Sequence, residues 1–109
     1  MTREITAVAA AREVSAGSAV LIDVREADEW QAGHAPQARF VPLSQLTLGA
    51  VPADRPVIAI CRSGNRSGRA TDALNAAGRS VRNLTGGMAA WVAAGLPVVT
   101  DDGRPGRVL

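Results

Sequence analysis

A chain of 109 residues fits a single domain, and its one cysteine excludes a disulfide framework. All twelve basic residues are arginines, scattered along the chain. With a net charge of only +2, two tryptophans, one phenylalanine and no tyrosine, nothing marks a nucleic-acid partner. No run approaches the roughly 20 apolar residues of a membrane helix, and Arg and Glu interrupt the N-terminal stretch where a leader needs an apolar core, so the expected compartment is the cytoplasm.

Taken in chain order, apolar strand-like runs alternate with helical patterns, which predicts an α/β architecture. Residues 3–6 suit an edge strand. An Ala-rich helix is expected over 7–15 with Thr6 as its N-cap. "AVLIDV" (19–24) and "VIAI" (57–60) are continuous aliphatic runs, suited to strands covered on both faces of a parallel sheet. Residues 39–43 and 80–84 are shorter strand candidates, and 43–46 a short helix. The clearest helix starts at Ser67, with Ala70, Ala73, Leu74 and Ala77 as its buried stripe and Gly78 at its C-terminal cap. A last helix over 88–94 presents Met88, Trp91 and Val92 on one face and stops before Gly95 and Pro97. Residues 1–100 form the expected domain. The polar, Gly- and Pro-interrupted segment 101–109 reads as a loosely attached tail.

The one cysteine lies in "AICRSGNRSGRA" (59–70), at the carboxyl end of a predicted strand. Ligand sites of open α/β sheets lie at such ends. Gly64 and Asn65 let the following loop curl and turn successive N–H groups inward, which makes an anion nest. The next helix adds unpaired N–H donors and its positive dipole end. Arg62, Arg66 and Arg69 add charge. A free thiol titrates at about 8.5, and such surroundings lower that value, so Cys61 is activated without a general base. No Cys-x-x-Cys supplies a resolving thiol, and one Cys with one His cannot build a zinc site, so no metal and no cofactor are expected. His34, between Gly33 and Ala35-Pro36, reads as a loop-fixing residue rather than a base for Cys61.

Three blocks, "LIDVREADEWQAGHAPQARFVPL" (21–43), "CRSGNRS" (61–67) and "NLTGGMAAWVAAGLPV" (83–98), resemble in order and spacing the signatures of rhodanese-like domains. The resemblance implies a small three-layer α/β domain with a mainly parallel central sheet flanked by helices. It also implies a sulfurtransferase. Cys61 would take a sulfane sulfur from a small anionic donor such as thiosulfate and hold it as a persulfide. It would then pass the sulfur to cyanide, a thiol or a partner protein. On that reading Arg62 and Arg66 orient the donor, while Ser63, Gly64, Asn65 and Ser67 shape the ring. Asp23 and Arg25 match the family's Asp-x-Arg positions, with two readings open: support of the active loop, or an ion pair tying the Gly33–Pro36 turn to the sheet. Gln37 replaces a usual glycine, so that turn is expected to be rebuilt.

Two alternatives remain. Related phosphatases use Cys-x5-Arg, whereas Arg66 gives Cys-x4-Arg, a narrower ring that suits one sulfur atom better than a phosphate; arsenate reduction meets the same objection. A persulfide carrier or regulatory binding module would have this same sequence.

Overall fold

The computed structural model describes residues 1–109. Its centre is a pair of strands whose residues are all buried, β2 (Val20–Asp23) and β4 (Val57–Ile60). Alternate side chains point to opposite faces, so each strand feeds two cores. Leu21, Ile58 and Ile60 join one core with Met88 and Trp91; Val20, Ile22, Val57, Ala59 and Cys61 join the other with Leu74. The first core lies under α1 (Ala7–Ser15) and α4 (Gly87–Ala93), the second under α3 (Asn65–Ala76).

The sheet is completed by β1 (Glu4–Ile5), β3 (Arg39–Phe40) and β5 (Val81–Leu84), in the order β1-β5-β4-β2-β3 and parallel throughout. From β2 the chain moves outward to β3, while from β4 it moves the other way to β5. That reversal opens a crevice at the carboxyl ends of β2 and β4. Asp23 pairs in register with Ile60, so Arg25 and Cys61 both emerge at this crevice.

Thr6 caps α1 as expected, its hydroxyl accepting from the Ala9 N–H at 3.3 Å. Elsewhere the expectations need correction. α3 begins at Asn65, because Gly64 at φ +102° turns the chain into the helix before Ser67. Its buried face is Ser67, Ala70, Thr71 and Leu74, and Ala73 and Ala77 are exposed. Two hydroxyls can occupy that face because both are bonded: Thr71 Oγ1 donates to the Ser67 carbonyl at 2.8 Å, and Ser67 meets the reactive site. In α4, Met88 and Trp91 are buried, but Val92, one residue further round, is 49% exposed. A short helix α2 (Ala27–Ala32), with no buried residue to give it an apolar stripe, was not expected.

The segment expected to be loosely attached folds back. The Gly106 N–H donates to the Val98 carbonyl at 2.8 Å and the Arg107 N–H to the Ala32 carbonyl at 2.9 Å. This is backbone pairing, invisible to a search for apolar side chains. It depends on Gly33, where a Cβ would lie 2.5 Å from the Arg107 nitrogen. No helix is long and apolar enough to cross a membrane.

Candidate active site

β4 delivers Cys61 into the crevice with 1% of its surface exposed. Behind it, the N-terminus of α4 fixes the loop. The Met88 N–H donates to the Cys61 carbonyl at 2.8 Å and the Ala89 N–H to the Arg62 carbonyl at 3.0 Å. In a trans peptide C=O and N–H point opposite ways, so drawing the Arg62 carbonyl toward α4 turns the Ser63 N–H toward the sulfur. Gly87 makes the approach possible: its φ is +60°, and a Cβ there would meet the Cys61 carbonyl oxygen at 2.3 Å.

The sulfur is held from the front as well. Gly64 N–H donates to Sγ at 3.1 Å, and Ser67 Oγ lies 3.2 Å from it. Burial pushes the thiol's pKa up. The Ser67 hydroxyl and the N–H groups of Ser67, Gly64 and Ser63 outweigh burial and leave it below the ordinary thiol value. These donors act on the sulfur with no base beside it. His34 is occupied elsewhere, with Nδ1 3.1 Å from the Ala35 carbonyl, Nε2 2.9 Å from Asp101, and its ring stacked on Trp30.

Asn83, on β5, organises this centre and was not singled out from the sequence. Its Nδ2 donates to the Gly64 carbonyl at 3.0 Å, and its Oδ1 lies 2.6 Å from Ser67 Oγ. Ser67 has one hydroxyl proton and two acceptors. Cys61 Sγ and Asn83 Oδ1 are those two, so the hydroxyl donates to one of them at a time. The only signal in the sequence is a polar residue inside an otherwise buried strand end.

The remaining site residues spread outward. Arg66 makes two parallel bonds to Glu29, at 2.7 and 2.9 Å, and rests at the rim with a third of its side chain exposed. The pairing holds the Glu29 carboxyl at about 2 and pushes Arg66 upward, with the Cys61 charge adding to the Arg66 shift. Arg62 is exposed and gives its Nε to the backbone oxygen of Leu109, the last residue of the sequence. Ser63 and Asn65 are exposed. Asp23 and Arg25 are fully buried. Arg25 bonds both Asp23 oxygens and donates to the Gly33 carbonyl at 2.8 Å, so this pair ties the turn to the sheet and makes no bond to the loop. Gln37 needs no left-handed backbone, since every residue with positive φ is a glycine; the turn closes through the Ala38 N–H on the Ala35 carbonyl at 3.1 Å.

Comparisons with known proteins agree with this geometry. Residues 6–94 match the family described as the rhodanese-like domain. A helix-turn-helix transcriptional regulator from Mycobacterium tuberculosis is 42% identical, over 93% of this chain and 46% of its own length. The chain therefore spans about half of that relative. A sulfurtransferase from Allochromatium vinosum is 39% identical, over 77% of this chain and 81% of its own. The crystal structure of a rhodanese-related protein from Thermoplasma volcanium is 29% identical, with a TM-score of 0.82 over 89% of this chain and 97% of that one. Matched along most of its length in sequence and in fold, this chain belongs to the rhodanese-like domain family.

Proposed function

We propose that the protein is a sulfurtransferase that carries sulfane sulfur on Cys61. The observation that carries this reading is the sulfur held between the Gly64 N–H and the Ser67 hydroxyl, with its pKa lowered against burial. With thiosulfate, the thiolate attacks the outer sulfur. The donor's S–S bond breaks, its electron pair leaves with sulfite, and Cys61 retains the sulfur as Cys–S–S⁻. The loop's donors stabilise that anion as they do the thiolate. Cyanide or a thiolate then attacks the outer sulfur, leaves as thiocyanate or a new persulfide, and restores Cys61. Arg62 and Arg66 supply positive charge at the rim. A single reduced thiol suits the cytoplasm.

Phosphate transfer is disfavoured by Arg66, whose guanidinium is bonded to Glu29 rather than free to clamp a phosphate over the sulfur. A second reading, a persulfide carrier or regulatory module, is favoured by the likeness to a transcriptional regulator.

Mass spectrometry tests the first step. Incubation with thiosulfate adds one sulfur atom, cyanide removes it, and Cys61→Ser abolishes it; an adduct that persists in the variant refutes the mechanism. Steady turnover of thiosulfate and cyanide supports the enzyme, and loading once without turnover supports the carrier.

A further inference from the structure

Cys61 lines none of the molecule's clefts, the one beside Arg62 included, so its reactivity is set by the groups already packed against its sulfur. One of them, the Ser67 hydroxyl, is fully buried and has one proton for two acceptors. The second acceptor, Asn83, stands on β5 and makes no hydrogen bond to the sulfur.

The surroundings of Asn83 fix which way its amide points. Nδ2 lies 3.0 Å from the Gly64 carbonyl and 3.4 Å from a Glu4 carboxylate oxygen, both acceptors, so this end carries the hydrogens. The end 2.6 Å from Ser67 Oγ is therefore Oδ1, which has no hydrogen to give. The proton between these two oxygens is the hydroxyl's own. Asn83 is 5% exposed and Ser67 0%, so bulk solvent replaces neither partner. The Gly64 carbonyl does not rely on Asn83 alone, because the Gly68 N–H also donates to it at 3.0 Å. What Asn83 alone supplies is a second place for the Ser67 hydroxyl to point.

We propose that Asn83 is a positioning residue: it accepts the Ser67 hydroxyl while Cys61 carries sulfur and leaves it to Sγ while Cys61 is a thiolate. The inference rests on the sulfurtransferase reading. During loading, a bond forms between Sγ and the outer sulfur of thiosulfate, the donor's S–S bond breaks, and sulfite leaves with its electron pair. Three negative charges enter and three leave, so no external oxidant or reductant is needed. The charge on the protein moves from Sγ to the outer sulfur. Sγ, now bonded on both sides and neutral, is a weak acceptor, and the hydroxyl turns to Oδ1. When an acceptor removes the outer sulfur, charge returns to Sγ and the hydroxyl turns back. The proton stays on Ser67 throughout. Asn83 thus favours the loaded form over the free thiolate without touching either sulfur.

The test follows two properties in the unaltered chain, Asn83→Leu and Asn83→Asp. One is the ratio of loaded to unloaded chain at a fixed mixture of thiosulfate and sulfite, read by mass spectrometry. The other is the pH midpoint of Cys61 alkylation by iodoacetamide before loading. Leucine offers no acceptor and leaves the hydroxyl on Sγ. The midpoint is then expected to fall and the loaded ratio to drop roughly fivefold, the net worth of one hydrogen bond. Aspartate keeps the acceptor and adds charge, so the midpoint is expected to rise and the loaded ratio to hold or increase. Both variants lose the bond to Gly64, so a mere brace would move both midpoints upward. Where Asn83→Leu does not fold, Asn83→Val carries the same expectations. In a Ser67→Ala background the fivefold effect is expected to vanish. Midpoints that move together, or a drop in loading that survives without the hydroxyl, overturn this role and leave the sulfurtransferase standing. An unaltered chain that takes no sulfur from thiosulfate overturns the sulfurtransferase reading, and the role of Asn83 with it.

Discussion

Two arginine–carboxylate pairs border the same crevice, Asp23–Arg25 and Glu29–Arg66, and burial separates their roles. The first is closed to water on both sides, and its arginine spends a further bond on the Gly33 carbonyl. The second leaves its guanidinium a third exposed, where the thiolate's charge acts on it. A desolvated pair is costly to break because each charge depends on the other. A rim pair adds little stability, and here it holds Arg66 at the edge of the crevice, where the proposed anionic donor would arrive. The same side-chain chemistry therefore anchors a turn in one place and lies at the rim of the cysteine's crevice in the other.

The contrast breaks most visibly at Asp23. Asp23→Ala strands Arg25 in the interior and is expected to cost about 3–5 kcal/mol, measured by urea unfolding. A loss no larger than that of a surface pair would remove the distinction. Arg66→Ala is expected to cost under about 1 kcal/mol in the same assay. It should nevertheless slow sulfur loading from thiosulfate several-fold, as read from the rate of adduct formation. Equal loss of stability and loading would make Arg66 a structural residue like Arg25.

The smallest effect is in acid. Glu29 has its pKa lowered from 4.5 to about 2, so the folded state favours its charged form. The stability this contributes is complete above about 4.5 and disappears as pH falls toward about 2. Glu29→Gln should flatten the stability profile within that window and leave its shape unchanged at neutral pH. An unaltered acid limb would show that the pair does not persist in solution.

Much of this was legible from residue type. The aliphatic runs at 19–24 and 57–60 became the two central strands, and the cysteine sits at a strand end before a helix, as its neighbours indicate. What escaped reading was held by bonds between polar groups far apart in the chain. Ser67 and Thr71 took the buried face from Ala73 and Ala77 because Cys61, Asn83 and a backbone carbonyl satisfy their hydroxyls. α2 carries no apolar period; its Glu29 instead bonds the Glu26 N–H at 3.0 Å and reaches Arg66. Asn83 acts across the sheet from β5, on a loop 16 to 19 positions earlier, a distance no local pattern spans.

The crossing of Gly33 and Gly106 also bears on folding order. It joins segments some 70 positions apart through backbone bonds, and Val108 is its one apolar side chain packed against the first core. Contacts that close long loops come at an entropic cost that nearby core packing must first offset. The carboxyl segment is therefore expected to dock last and undock first, by a local opening that uncovers only the edge of the first core at Val108. In hydrogen exchange, the Gly106 and Arg107 amides should lose protection well before those of β2 and β4. The wall that Arg107 and Val108 lend to the cleft beside Arg62 is thus the part expected to open first.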